Sequence, residues 1–356
     1  MPGCTALHAL FAGKGRTLLD AAARAVMMFV AIIGFIAFIA LGAAAGPARA
    51  QPYPNKPIRI VIPFAPAGST DVIGRINGQK LAEAVGQSVI IENRPGAGGV
   101  LGLRLVAKST PADGYTLVLS GSYLANLAVF VADLGFDPMN DFAHVATLAE
   151  IPIAIATNTK QPYQSLRDLA TAAKARPGAL TYGSPGVGTS AHLMCETLKL
   201  RLGVDMVHAP YKGNGPAAND LLAGHIPLVC SNLSGLPDLK GERIRILGVT
   251  GLQRDPSVPQ APTFREGGVR GLDRGTWVGF SAPKGTPSAI TERLNAELNR
   301  ALQKPDLIER FTGAGAVTMP GSIAEFGERL EQVRADLAEL KKTTGLKLDQ
   351  GSTKVA

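Results

Sequence analysis

The chain is poor in the residues that several common functions require. It has three cysteines in 356 residues, too few for a disulfide-built scaffold. Its histidines are scattered (His144, His192, His208 and His225 after the first fifty residues), so no metal-ligand spacing exists. Aromatics make up only 5% and Lys and Arg form no cluster, which leaves nucleic-acid binding with little support. There is no G-x-S-x-G elbow, no paired catalytic carboxylate motif and no fixed-period repeat, so a nucleophile-elbow hydrolase and a solenoid are both disfavoured.

What the chain does have begins with an export-type leader. Lys14, Arg16 and Arg24 precede an apolar run from Ala25 to about Gly46, and Ala48-Arg49-Ala50 follows as an A-x-A site. A signal peptide over residues 1–50, cut after Ala50, is expected. An uncleaved anchor is the alternative, because the run nearly matches a bilayer span. Removal leaves 306 residues with 32 Lys+Arg against 27 Asp+Glu, a net charge of +5. That length favours two lobes over one core. The charge implies only a faint attraction for anions. Cys195 and Cys230 remain; the reading leans to two buried free thiols, with a disulfide as the alternative.

Strand-like and helix-like segments alternate through the rest, the pattern of α/β layers with parallel pairing. Several junctions are glycine-rich. The strand near Ala179–Tyr182 runs into Gly183-Ser184-Pro185-Gly186-Val187-Gly188-Thr189-Ser190-Ala191-His192 and then a helical segment. The first N–H groups of a helix lack intrahelical partners and carry partial positive charge, so this junction is an anion cradle in form. Gly183 to Ser190 matches a phosphate loop except that Thr189 replaces the lysine. That set suits a carboxylate or small polar group better than a triphosphate; an ordinary turn is the alternative. A similar junction follows Phe64, where Ser69, Thr70 or Asp71 is placed to cap a helix, and a third follows Arg94. The apolar stretch Phe142–Ala156, interrupted by Pro152, is long enough to pass from one lobe to another, and Thr276–Ala282 reads as a second crossing strand. The charged faces of the last helices are expected to face solvent. The tail after Leu346 is polar and expected to be disordered.

Four motifs carry a family resemblance: Pro63–Asp71, Glu92–Gly99, Tyr182–Leu193 and His208–Gly213. Together they resemble the Bug family, periplasmic receptor subunits of tripartite tricarboxylate transporters, from about Pro54 to Leu346. The resemblance implies a type II periplasmic binding protein: two α/β lobes, each a mostly parallel sheet flanked by helices, joined by two crossing strands. Lobe 1 would comprise residues 51–152 and 276–356, and lobe 2 residues 153–275. It implies a non-enzymatic, monomeric receptor without cofactor that captures a small carboxylate or similar polar metabolite for membrane permease subunits. An orphan receptor serving a sensor, or an exported serine hydrolase using Ser184 or Ser190, are the alternatives.

By motif position the resemblance implies ligand contacts at Phe64, Ala65, Gly68, Ser69 and Asp71 in the first lobe. In the second it implies Ser184, Gly188, Thr189, Ser190 and His192, with Tyr211 and Lys212 at the cleft edge. Read from the residues alone, Asp71 is equally a helix cap, His192 equally a packing residue, Lys212 a solvated one and Arg94 a salt-bridged one. Two positions depart from the family pattern. Ala67 stands where glycine is frequent, and Ser231 where an acidic residue is common. The second departure removes a counter-charge for an amine and points to a simple carboxylate or a neutral ligand.

Overall fold

The computed structural model describes residues 23–36, 53–237 and 242–348. Residues 23–36 form an exposed helix (α1). The expected cleavage site at 48–50 lies outside the described residues. No described helix is long and apolar enough to cross a membrane.

From Tyr53 onward the chain builds two mixed sheets. The elements of the first are β1 (Ile58–Ile62), α2 (Ser69–Val85), β2 (Val89–Asn93), α3 (Val100–Ala107), β3 (Thr116–Gly121), α4 (Tyr123–Phe130) and β4 (Phe142–Ile151). The second takes β5 (Ile153–Asn158), α5 (Leu166–Ala175), β6 (Thr181–Ser184), α6 (Ser190–Leu202), β7 (Val207–Pro210), α7 (Asn214–Ala223), β8 (Leu228–Asn232) and β9 (Ile244–Val249). The chain then returns to the first through β10 (Thr276–Pro283), α8 (Ser288–Leu302), α9 (Pro305–Gly313), β11 (Val317–Thr318) and α10 (Ile323–Thr344). The strand orders are β11-β4-β10-β3-β1-β2 and β7-β6-β8-β5-β9.

Between the named strands, parallel pairing is confined to the βα units. β1 runs parallel to β2 and β3, and β6 parallel to β7 and β8. β4, β5 and β10 pair antiparallel with their neighbours, so the sheets are mixed rather than mostly parallel. Each sheet buries apolar side chains on both faces. In the first, Ile73 of α2 and Leu298 of α8 belong to one core cluster, while Leu103 of α3 and Phe326 of α10 belong to another. In the second, Leu169 and Leu198 belong to one cluster and Ala217 and Leu221 to another.

Pro152 divides the long apolar stretch, and β4 and β5 lie in different sheets. The return crossing is not made by Thr276–Ala282, because β10 lies wholly in the first sheet between β3 and β4. Irregular residues 271–275 make it instead. Gly275 there packs so closely on Ile151 and Pro152 that a Cβ would collide with the Ile151 carbonyl. The two crossings therefore touch. At the C-terminus, order outlasts Leu346: Leu346 and Leu348 are buried with Phe130 and Leu193. The remainder of the tail lies outside the described residues.

Cys195 of α6 and Cys230 of β8 form a disulfide, with Cα atoms 6.2 Å apart, in place of two free thiols. Both residues are fully buried. Closing a loop of 35 residues removes enough freedom from the unfolded chain to stabilise the fold by about 3–4 kcal/mol. Cys195→Ser with Cys230→Ser is expected to lose that amount. Urea denaturation of the variant against oxidised wild type, each with and without reductant, measures it; an unchanged midpoint would rule the bond out as a staple.

Candidate functional site

The turns after β1 and β6 face one another. In the first, Ala67 takes φ 62°, a left-handed backbone that costs a residue with a Cβ and explains why glycine suits this position. Its N–H donates to Asp71 Oδ2 (3.0 Å). The Asp71 carboxylate also accepts from Arg75 Nε (2.9 Å) and Asn93 Nδ2 (2.9 Å). Burial by itself would raise the pKa of Asp71; the Arg75, Asn93 and Ala67 donors outweigh it and hold the carboxyl below its usual value. Its oxygens are thus spent on fixing the turn.

Gly68 precedes α2 with no side-chain cap, so the helix start presents bare N–H groups. Ser69 is fully buried, and its Oγ accepts from two amides of the other sheet's elements: Asn214 Nδ2 (2.7 Å) and Asn232 Nδ2 (3.0 Å). Asn214 is oriented by Ser231 Oγ, which donates to its Oδ1 (2.8 Å). Ala65 N–H donates to the Lys212 carbonyl (2.9 Å), while the Lys212 side chain is exposed. Gly98, at φ 63°, leaves room for the Val187 carbonyl where a Cβ would collide with it. The turn after β2 and the turn after β6 are thus in backbone contact, and the turn after β1 is tied to the loop after β7.

In the second turn, Thr189 caps α6 by accepting from His192 N–H (3.3 Å). Ser190 Oγ accepts from Asn126 Nδ2 (3.0 Å) and Thr276 Oγ1 (3.1 Å) of the first sheet's elements. A cavity of about 20 Å³ lies between the turns, lined by Phe64, Thr70, Thr189, Ser190, Asn214, Asn232 and Thr276 among others, none of them charged. That volume holds about one water.

Of the residues expected at the site, Phe64, Thr189 and Ser190 line this cavity. Ser69 is bonded to two of its lining residues, and Ala65 and Gly68 lie against the 212–215 backbone. Three others, Ser184, His192 and Tyr211, do not line it, and Arg94 is an exposed residue. Ser184 is fully buried, 2.6 Å from His208 Nε2, and accepts from Gly186 N–H (3.2 Å). Its spacing to His208 is that of a nucleophile and base, but burial seals the hydroxyl from substrate. His192 is fully buried, stacks on His208 (ring centroids 3.8 Å apart) and accepts from Gly188 N–H through Nδ1 (3.3 Å). Burial, then the nearby His208 and Lys199, push its pKa down to about 3. Tyr211 OH donates to Asp220 (2.7 Å), and Arg94 pairs with Glu92. Asn126, Asn214 and Asn232 were not singled out from the sequence. The available signal was Asn214 itself, which opens a fourth glycine-flanked helix start. No group of described residues is arranged to hold a metal ion.

Residues 73–326 match the tripartite tricarboxylate transporter family receptor, TctC. The chain belongs to the TctC family. BugT of Bordetella pertussis is 38% identical to this TctC receptor over 291 residues, covering 81% of this chain and 88% of BugT. Among solved structures, Rpa4515 of R. palustris with adipate superposes at TM-score 0.79 and 33% identity, over 83% of this chain and 99% of that one. MatC from Rhodopseudomonas palustris with bound malate superposes at 0.77 and 30% identity, over 81% and 99%. The resemblance to Bug receptors therefore holds, and the TctC chain is a periplasmic solute-binding protein in fold and family.

Two outcomes test this geometry. Ala67→Gly relieves the left-handed strain and is expected to stabilise by about 1 kcal/mol, read from the urea midpoint. A destabilised variant would contradict the strain. His192 stays neutral when folded but takes a proton when unfolded, so its contribution is whole above about pH 6.5 and falls as pH drops toward 3. At pH 5 the loss is about 2 kcal/mol. His192→Gln is expected to flatten the stability profile between pH 7 and 5, and an unaltered slope would place the effect elsewhere.

Proposed function

We propose that this TctC receptor captures a small carboxylate between the 64–71 and 183–192 turns and presents the closed form to membrane permease subunits, without chemistry. The observation that carries the reading is the meeting of two helix starts, α2 and α6, at a cavity walled by hydroxyls and amides and free of charged side chains. Helix starts favour an anion by about 0.3–1 kcal/mol each, whereas a hydrogen bond to a charged group contributes about 1.5–3 kcal/mol. Side-chain and backbone donors, rather than dipoles, therefore dominate the affinity. The ligand contacts in this reading are Phe64, Ala65, Gly68, Ser69, Thr189 and Ser190, joined by Asn214 and Asn232. Solved relatives that hold adipate and malate support a dicarboxylate.

An amine-bearing acid fits less well. Ser231 is spent on Asn214, and no acidic side chain lines the cavity to balance an ammonium. Hydrolysis is disfavoured because Ser184 is sealed and the partners of Ser190 are Ser122, Asn126 and Thr276, none of which is a base. The domain division is 51–152 with 276–356 against 153–275, and export is directed by a leader that is cut after Ala50.

Calorimetry with malate, adipate and glutamate tests the reading. Dicarboxylate binding is expected to exceed glutamate binding, with no release of product from ester substrates. Ser190→Ala is expected to weaken dicarboxylate binding about 10- to 100-fold, the loss of one hydrogen bond to a charged group. Glutamate bound more tightly than either diacid would remove the preference for a simple carboxylate, and no response to any organic acid would remove the receptor reading.

A further inference from the structure

Beside the small cavity lies a far larger space, a groove of about 730 Å³. That volume falls in the range of small-molecule sites. Its two walls are helices packed on different sheets. One is α6, which contributes Ser190, Leu193, Met194, Thr197 and Arg201. These positions are spaced i, i+3, i+4, i+7 and i+11, a single face of the helix. The opposite wall is α10, which contributes Arg329, Val333, Leu337 and Leu340 at the equivalent spacing. Trp277 and Leu272 add further apolar lining.

The α6 face is ordered by chemistry as well as by position. A hydroxyl stands at its start, an apolar pair in the middle and a cation at its end. Ser190 belongs to both the small cavity and the groove, so the two spaces share a wall. Asp273 and Asp336 of the lining are paired with Arg265 and Arg274, which leaves Glu150 as the remaining acid against Arg201 and Arg329. Among the described residues Arg201 makes no ion pair.

We infer that the groove receives the body and far end of the ligand, and that the preferred substrates are α,ω-dicarboxylates longer than adipate, with the second carboxylate at Arg201. The inference rests on the proposed capture of the first carboxylate at the Ser190 turn. The small cavity has room for about one water, so an alkyl body must extend elsewhere, and the groove is the space that adjoins it. Eleven residues of helix separate Ser190 from Arg201 by about 16 Å along the axis. Both side chains lean back toward the N-terminus, but Arg201 is several ångströms longer than Ser190, which shortens the gap to roughly 10 Å, the span of a diacid of roughly eight to ten carbons. Because the walls belong to different sheets, such a ligand contacts both only when they are together, so it favours the closed arrangement.

Titration calorimetry with butanedioate, hexanedioate, octanedioate and decanedioate tests this on wild type, Arg201→Met and Arg201→Lys. Affinity is expected to rise at least tenfold from six carbons to the best longer diacid. Arg201→Met is expected to erase that gain while leaving butanedioate binding unchanged, and Arg201→Lys to keep most of it. Affinity that is flat or falls beyond six carbons overturns the groove assignment while the receptor reading stands. So does a longer-chain preference that survives Arg201→Met. If no diacid of any length binds, the groove assignment fails, and the receptor reading fails with it only if monocarboxylates and other organic acids give no response either.

Discussion

One serine oxygen gathers the two halves of the site. Ser69 Oγ receives an amide from Asn214 and another from Asn232, and both come from elements of the opposite sheet. Neutral hydrogen bonds of this kind contribute only about 0.5–1.5 kcal/mol each in net terms. They can hold two helix starts in register but leave the closed arrangement weakly held. The same balance recurs at Ser190, which is reached by Asn126 and Thr276. A guest that supplies charged acceptors to the same donors outweighs these bonds, since hydrogen bonds to ions are stronger. Close backbone approach at Gly98 and Val187 makes the fit specific.

The charged groups nearest the turns serve shape rather than attraction. Asp71 ties Ala67, Arg75 and Asn93 together, and Arg94 is neutralised by Glu92. His192 and His208 stack as flat supports beneath the second turn. What reaches the cavity is therefore uncharged, and the ion pairs stay behind it.

Much of the architecture was legible from the chain. Gly-rich junctions after Phe64, Arg94 and Tyr182 marked helix starts, and Pro152 marked the passage between sheets, because glycine and proline act through local backbone geometry. The mixed pairing was not legible, since β10 reads like any buried strand and its direction is a tertiary fact. The site was legible in part. Ser190 and Thr189 follow from the motif. Asn214 and Asn232 do not, because what places them is a partner on another sheet. His192 occupies the first turn of its helix as expected, whereas Asp71, expected as a cap, lies inside the first turn because Gly68 holds the cap position, and both turn inward. Position along a helix fixes the face only once its packing partner is known. The Arg75 one turn beyond Asp71 was the local hint.

The bond between Cys195 and Cys230 ties the fold to an oxidising compartment. Thiols in the cytosol are kept reduced, so this tie between α6 and β8 forms only after crossing into an oxidising space. Before that the chain lacks a restraint spanning the cradle helix and the strand beneath it. The oxidised fold is correspondingly harder to open than the reduced one.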